Sequence, residues 1–480
     1  MSEMKSQLEL LKTAVRGVET VSLPRDANSA PDTGESVVNA LAGTGYGTVN
    51  VRERTVTRFS QEALRDVAAL ARSLRDNRAE YVRGVGFRVI CEMVAKVVIE
   101  MFRGRSGKEV DKGDLGELKR EVEEWFARVG KTRRHLIPCN VLPSRAEAFE
   151  VGPIRFFHVS DLDPDDYGLP SGDGVVDVSV EPLMRVMEDH VASWLGEVLV
   201  EGCEKQRSLE IAELAVDVAM GGLQLVVPAK LGRRMARVTA RRLPVWRGSF
   251  SVTEGGVEFG GANEQPGLGL APDEFEELIG SASDAIVAMG GLIDVYVSGQ
   301  GELPMLKGAW CNAVYWFHEG MSEPLDTVAV VKLETSMEIL FSAGSRTGSK
   351  TRILDGMRGM FGIDGSQTVD PSSGVTYEDL ATEIVEARSW FLHGNWPTLA
   401  LRDRGIDRAT VEIMARQFLI VYPLLLEKYA TEVGVPAQDD AQAFLDWAIS
   451  SASASDRLNG GEGQGQTTQE RTANGEAVCR

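Results

Sequence analysis

The segment Ala387-Arg388-Ser389-Trp390-Phe391-Leu392-His393-Gly394-Asn395-Trp396-Pro397 brings together the residue types in this chain best suited to chemistry. An imidazole titrates near neutral pH and can take or deliver a proton. A guanidinium stays charged and grips phosphate oxygens through a planar fork. Gly394 suits the left-handed residue that ends a helix, and Pro397 cannot continue one. The spacing therefore predicts Arg388 in the last turns of a helix and His393 at its end. In an ideal helix that separation is about 140° in direction and ~7.5 Å in rise. The two side chains do not share a face of a perfect helix. A tightened last turn, or a second copy of the helix brought in by a dimer axis, would let them act on one group.

Such a pair could cleave RNA without a metal. The histidine would act on the 2′-hydroxyl or the leaving oxygen, and the arginine would stabilise the charged phosphorane-like state. The product would end in a 2′,3′-cyclic phosphate. The competing reading is structural: a basic residue near a helix C-terminus is favoured by the helix dipole, by roughly 0.3–1 kcal/mol.

The elements that must position this pair are helical. Trp310, Val314, Phe317 and Met321 recur at helical spacing, as do Val328, Val331, Leu333, Met337 and Leu340. A shorter helix is predicted over roughly 350–361, then the helix carrying Arg388, then one over 406–430 with Val411, Met414, Phe418, Val421 and Leu425. Helices joined by short loops suggest a bundle over 304–432.

This region resembles the HEPN superfamily, and within it the ApeA-like HEPN group of bacterial defence loci. The resemblance rests on Arg388-Ser-Trp-Phe-Leu-His393, an Arg-x4-His motif late in the bundle, preceded by the acidic helix LETSMEILF at 333–341. It covers about a quarter of the chain. It implies an all-α HEPN-like bundle, Arg388 and His393 as catalytic residues, and Glu338 as the acidic residue near them, with Glu334 one turn earlier. Ser389 stands where many toxin-type members carry Asn, Asp or His. Ser389 and Asn395 are supporting candidates. The resemblance also implies an endoribonuclease without cofactor or metal, dimeric through the bundle, acting in an anti-phage, abortive-infection or stress response. A protein or phage-derived trigger would then act on it. The alternatives are a catalytically silent HEPN module that binds RNA or a protein, and an acidic scaffold.

The clearest basic stretch, with Arg233, Arg234, Arg237, Arg241 and Arg242, could track a phosphate backbone, or could be a solvated strand edge. Trp396 could stack on a base, or pack. GSRTGSKT at 344–351 misses the phosphate-loop pattern, because Ser349 stands where glycine is required, and reads as a loop with a helix start. His135, His158, His190 and His318 have no ligand-like spacing, and neither do the five cysteines.

Upstream, three helical patterns place a helical region at 56–133, with Ser60 as an N-cap. Short apolar and aromatic runs bounded by Pro and Gly read as strands, and Gly255-Gly256 marks a hairpin. Two helices are expected near 181–204 and 208–222, and a strand at 294–300. Together these make 134–303 a mixed α/β domain of sensor or regulatory type. Residues 1–55 read as a flexible arm with a short helical start, and 433–480 as a short helix followed by a disordered polar tail. The fold class expected is therefore α+β and multidomain. The formal charge of −20, from 51 basic and 71 acidic residues, excludes a protein that coats nucleic acid by bulk charge. No signal-like segment or run of some 20 apolar residues stands out, which predicts a cytoplasmic protein with no membrane contact.

Overall fold

The computed structural model describes residues 2–22, 48–50, 55–104, 108–167, 181–238, 246–263, 266–342, 346–369, 374–394, 407–433 and 437–461. They form a mixed α+β protein with sixteen helices and ten strands among the described residues. The chain divides into two units, Met1–Arg134 with Leu199–Ile211, and His135–Val198 with Ala212–Arg480.

In the first unit, helices α1 (Ser2–Arg16), α2 (Gln61–Asp76), α3 (Ala79–Gly84), α4 (Phe87–Gly104) and α5 (Lys112–Val129) enclose an apolar core. Strands β1 (Val18–Ser22), β2 (Thr48–Asn50) and β3 (Thr55–Phe59) form an antiparallel sheet with β3 central. Helix α2 begins where Ser60 accepts the Ala63 N–H at 3.2 Å, and its Val67, Leu70, Ala71 and Leu74 form the buried face. Asp111 and Asp114 make a reciprocal capping box at the start of α5. Residues 2–22 are not the arm expected from sequence. Leu11, Ala14, Val15 and Val18 are core residues, so the short helical pattern there is an amphipathic face with a place to dock. The Pro- and Ser-rich stretch 23–47 lies outside the described residues.

Strands β4 (Lys131–Asn140), β5 (Phe149–Val151), β6 (Ile154–His158), β7 (Trp194–Cys203) and β8 (Ala236–Arg237) make a five-stranded sheet in the order β5-β6-β7-β4-β8; the second unit takes β4 from His135 and β7 up to Val198. The helices of this part of the chain are α6 (Glu181–Asp189), α7 (Lys205–Val226), which the second unit takes from Ala212, and the single turn α8 (Ala229–Gly232). Residues 194–203 are a strand where a helix was expected. Val198 and Val200 are buried while Leu199 and Glu201 are exposed, a period of two. The hairpin is present as β9 (Trp246–Thr253) and β10 (Gly256–Asn263), with Phe250 opposite Phe259.

The remaining helices are α9 (Pro272–Ser281), α10 (Ser283–Ser298), α11 (Pro304–Met321), α12 (Asp326–Leu340), α13 (Arg346–Phe361), α14 (Tyr377–Leu392), α15 (Arg408–Val433) and α16 (Ala441–Gly461). The helical region is wider than 304–432 at both ends. Residues 294–298 are the end of helix α10 rather than a strand, because Ile286, Met289, Ile293 and Val297 continue a helical stripe that packs on α11 and α15. Helix α16 buries Phe444, Leu445 and Ala448 and packs along α13. Gly152, at φ 58°, turns β5 into β6 against the backbone of Gly290 in α10, where a Cβ on Gly152 would fall 2.4 Å from the Gly290 carbonyl oxygen.

Helix α15 is the axis of this region. It is long and apolar enough to cross a membrane by length and composition, with a mean hydropathy of 1.4 over its best window, so the sequence expectation that no such segment exists is corrected. Here Val411, Ala415, Phe418, Leu419, Tyr422 and Leu426 are buried. Pro423 lies inside the helix and has no N–H to offer the Leu419 carbonyl four residues back. The Trp310 indole of α11 donates to that carbonyl instead, at 2.9 Å.

The N-terminal half of α15 carries Arg408, Glu412 and Arg416 one turn apart. Arg408 donates to the carbonyls of Gly320, Met321 and Glu323 at 2.8–3.0 Å, satisfying the end of α11. Arg416 donates to the carbonyls of Gln224, Leu225 and Val227 at the end of α7. Glu412, almost fully buried, pairs with Arg233 at 2.8 Å and with Arg416 at 3.5 Å.

Candidate active site

Helix α14 starts at Thr376, whose hydroxyl accepts the Asp379 N–H at 3.1 Å while Asp379 accepts the Thr376 N–H at 3.1 Å. The Thr376 hydroxyl also donates to the Asp379 carboxylate at 2.7 Å, and this bond, followed by that from the Thr376 N–H, holds Asp379 below the usual carboxylate range. Leu380, Ala381, Ile384, Val385 and Ala387 form the buried face. Arg388 continues that face at the next helical step, so its side chain is directed toward α12. There it meets an acidic pair four residues apart: Nε lies 3.1 Å from Glu334 Oε2, and Nη1 lies 2.5 Å from Glu338 Oε2. Helix α13 contributes Ser349, whose hydroxyl donates to Glu338 Oε1 at 3.0 Å.

The two carboxylates are not equivalent. Glu334 is fully buried, and neither of its oxygens has an aligned hydrogen-bond donor, nor does Arg388 Nε have an aligned acceptor. Close contact without alignment leaves desolvation dominant. Burial pushes Glu334 up to about 8, against the opposing pull of Arg388. Glu338 is 15% exposed and Arg388 27% exposed, so the cluster opens to solvent on the Glu338 side.

The helical ladder reaches His393, whose N–H donates to Ser389 O at 3.1 Å. Gly394 then takes φ 70° and ends the helix. His393 is exposed, and among the described residues it makes no side-chain hydrogen bond or ion pair. Arg388 is thus turned to the acids of α12 while His393 stands in solvent beyond the last turn. No hydrogen bond or ion pair joins them within the one chain. Ser389 is half-buried. Asn395 and Trp396 lie outside the described residues.

The described part of the basic stretch does not form the exposed phosphate track that was one reading of it. Arg233 is paired with Glu412, and Arg237 makes a two-pronged bond to the buried Asp217 at 2.7 and 2.8 Å, with Glu213 at 3.2 Å. Arg234 is half-buried, and Arg241 and Arg242 lie outside the described residues. The acids that draw these arginines inward come from α7 and α15, distant in sequence. His318 is a core residue hydrogen-bonded to Gln224 at 2.9 Å, and burial lowers its basicity. Among the described residues, no group of three or more His, Cys, Asp or Glu is disposed to hold a metal ion.

Two residues escaped the sequence reading. Ser349 was assigned to a loop and helix start, yet its hydroxyl donates to Glu338. Trp390 was passed over, and it is 43% exposed three residues before His393. For Trp390 the available signal was helical spacing, three residues before His393; for Ser349, whose partner Glu338 is on another helix, spacing offered none. No protein-family model, curated protein or solved structure matches the chain.

Proposed function

We propose that the C-terminal helices form a HEPN-type bundle and that the protein is a metal-independent endoribonuclease leaving 2′,3′-cyclic phosphate ends. One observation carries this reading. A guanidinium anchored by two carboxylates, yet still open to solvent, lies on the helix whose C-cap is an exposed imidazole with no side-chain partner among the described residues. In this reading Glu334 and Glu338 position Arg388, Arg388 stabilises the extra charge at phosphorus, and His393 moves the proton of the 2′-hydroxyl or of the leaving oxygen. With Glu334 raised to about 8, the cluster does not carry two full negative charges at neutral pH, which lowers the barrier to phosphate approach. Because Arg388 and His393 diverge in one chain, the reading includes a homodimer in which two bundles complete the site. The cellular role that goes with it is a cytoplasmic anti-phage or stress effector, with the upstream regions receiving the trigger.

That divergence also favours the second reading, a catalytically silent module that binds RNA. Incubation of the purified protein with total RNA and a chelator separates the two. Cleavage with cyclic-phosphate ends, lost by at least about 100-fold in Arg388→Ala and in His393→Ala, is the result expected of the nuclease. Binding without cleavage in the unsubstituted protein would select the silent module.

A further inference from the structure

Six tryptophan side chains fall among the described residues: Trp125, Trp194, Trp310, Trp316, Trp390 and Trp447. Five are buried or half-buried, and only Trp390 is exposed. It lies on the outer side of α14, away from the buried Ile384 and Val385. It precedes His393, which caps the helix, by three residues, the spacing at which Cβ atoms on one side of a helix stand about 5–6 Å apart. Glu386 lies one turn earlier on the same side, and its carboxylate disfavours a phosphate there. A nucleotide whose base rests on the indole would therefore direct its phosphate toward His393.

From these positions we infer that Trp390 is a stacking platform for an unpaired base of single-stranded RNA, setting which linkage lies beside His393. The inference rests on the RNA-directed reading given above and adds to it the substrate form: an unpaired strand, since a base within a duplex does not expose its ring face. An indole stacks on any base and holds the larger purine rings more strongly, so it confers a preference rather than a strict code.

The test uses the full-length protein and 2′-O-methyl oligoadenylate and oligouridylate of roughly eight nucleotides, which bind but cannot be cleaved because the 2′-oxygen is blocked. Fluorescence anisotropy measures affinity, sedimentation measures self-association, and thermal melting checks the fold. Trp390→Ala is expected to weaken oligoadenylate binding by roughly 5- to 150-fold and to remove the preference over oligouridylate. Trp390→Phe keeps most of the affinity.

Unchanged affinity in Trp390→Ala overturns the platform. So does a loss of affinity that appears only together with a loss of self-association, which would make this face a contact with a second copy of the chain. So does failure of the unsubstituted protein to bind either oligonucleotide. Failure of the platform and failure of the nuclease stay distinguishable. Chelator-resistant cleavage that needs Arg388 and His393, with normal binding by Trp390→Ala, sinks the platform alone. Trp390-dependent binding with no cleavage upholds the platform and sinks the nuclease.

Discussion

Two arginine–carboxylate clusters in the second unit solve the same electrostatic problem differently. On α15, the terminal nitrogens of Arg408 and Arg416 reach the carbonyls that end α11 and α7, with the buried Glu412 supplying the counter-charge. Those guanidiniums satisfy groups the fold would otherwise leave orphaned. On α14, Arg388 meets only carboxylates among the described residues: one at poor alignment and fully buried, the other near solvent. The first cluster is built to be static. The second lies next to an opening, with Arg388 27% exposed where Arg408 is 5% exposed.

Substitutions can break or sharpen this contrast. Among the substitutions, Glu412→Ala should cause the largest loss, about 3–5 kcal/mol in denaturant unfolding, because it strands buried positive charge. A loss below about 1 kcal/mol would deny the static role.

The next effect is a pH dependence. Glu334 has an ordinary value of 4.5 and is raised to about 8 in the fold. Below about 4.5 it is protonated in both states and sets no slope. Between there and about 8 the folded chain keeps a proton that the unfolded chain has released, so stability falls as pH rises, by an amount on the order of 5 kcal/mol. Above about 8 the penalty is constant. Glu334→Gln should abolish this component. Parallel stability profiles for the two proteins from pH 5 to 9 would refute it.

Arg388→Ala should cost less stability than Glu412→Ala, about 1–2 kcal/mol at pH 6, because Glu334 can stay protonated and leave no bare charge. Its effect on cleavage is expected to be far larger than its effect on melting. Ser349→Ala is the mildest, about 0.5–1.5 kcal/mol for one hydrogen bond. A cleavage loss as large as that of Arg388→Ala would promote Ser349 from supporting Glu338 to a more direct part in the site.

Much of the helical architecture was legible because amphipathic spacing is local. The helix carrying Arg388, its end at Gly394, the cap at Ser60 and the hairpin all rest on residues close in sequence. Two kinds of information were not local. The first is docking: Leu11 and Val15 look like part of a loose end until other helices cover them, and 194–203 resolves as a strand only when its neighbours take its alternate residues. The second is charge pairing across the fold. Arg233 and Arg237 look like a basic track because their partners Glu412 and Asp217 lie 179 and 20 residues away. In the candidate site, Glu338 was legible and Glu334 was named beside it. Which of the two is the desolvated one depends on burial, which spacing does not encode.

The bond from the Trp310 indole to the Leu419 carbonyl has a mechanical consequence. A proline removes one donor from the ladder of α15, and the gap is filled at a single height by a ring from α11. Sliding α15 along its neighbour by one turn, as a piston, would vacate that notch and present an intact carbonyl ladder where the indole needs an acceptor. The pair works as a key in a slot, fixing the axial offset of the two helices. Motions of the two helices that keep this bond pivot about it, whereas one rod moving lengthwise past the other breaks it.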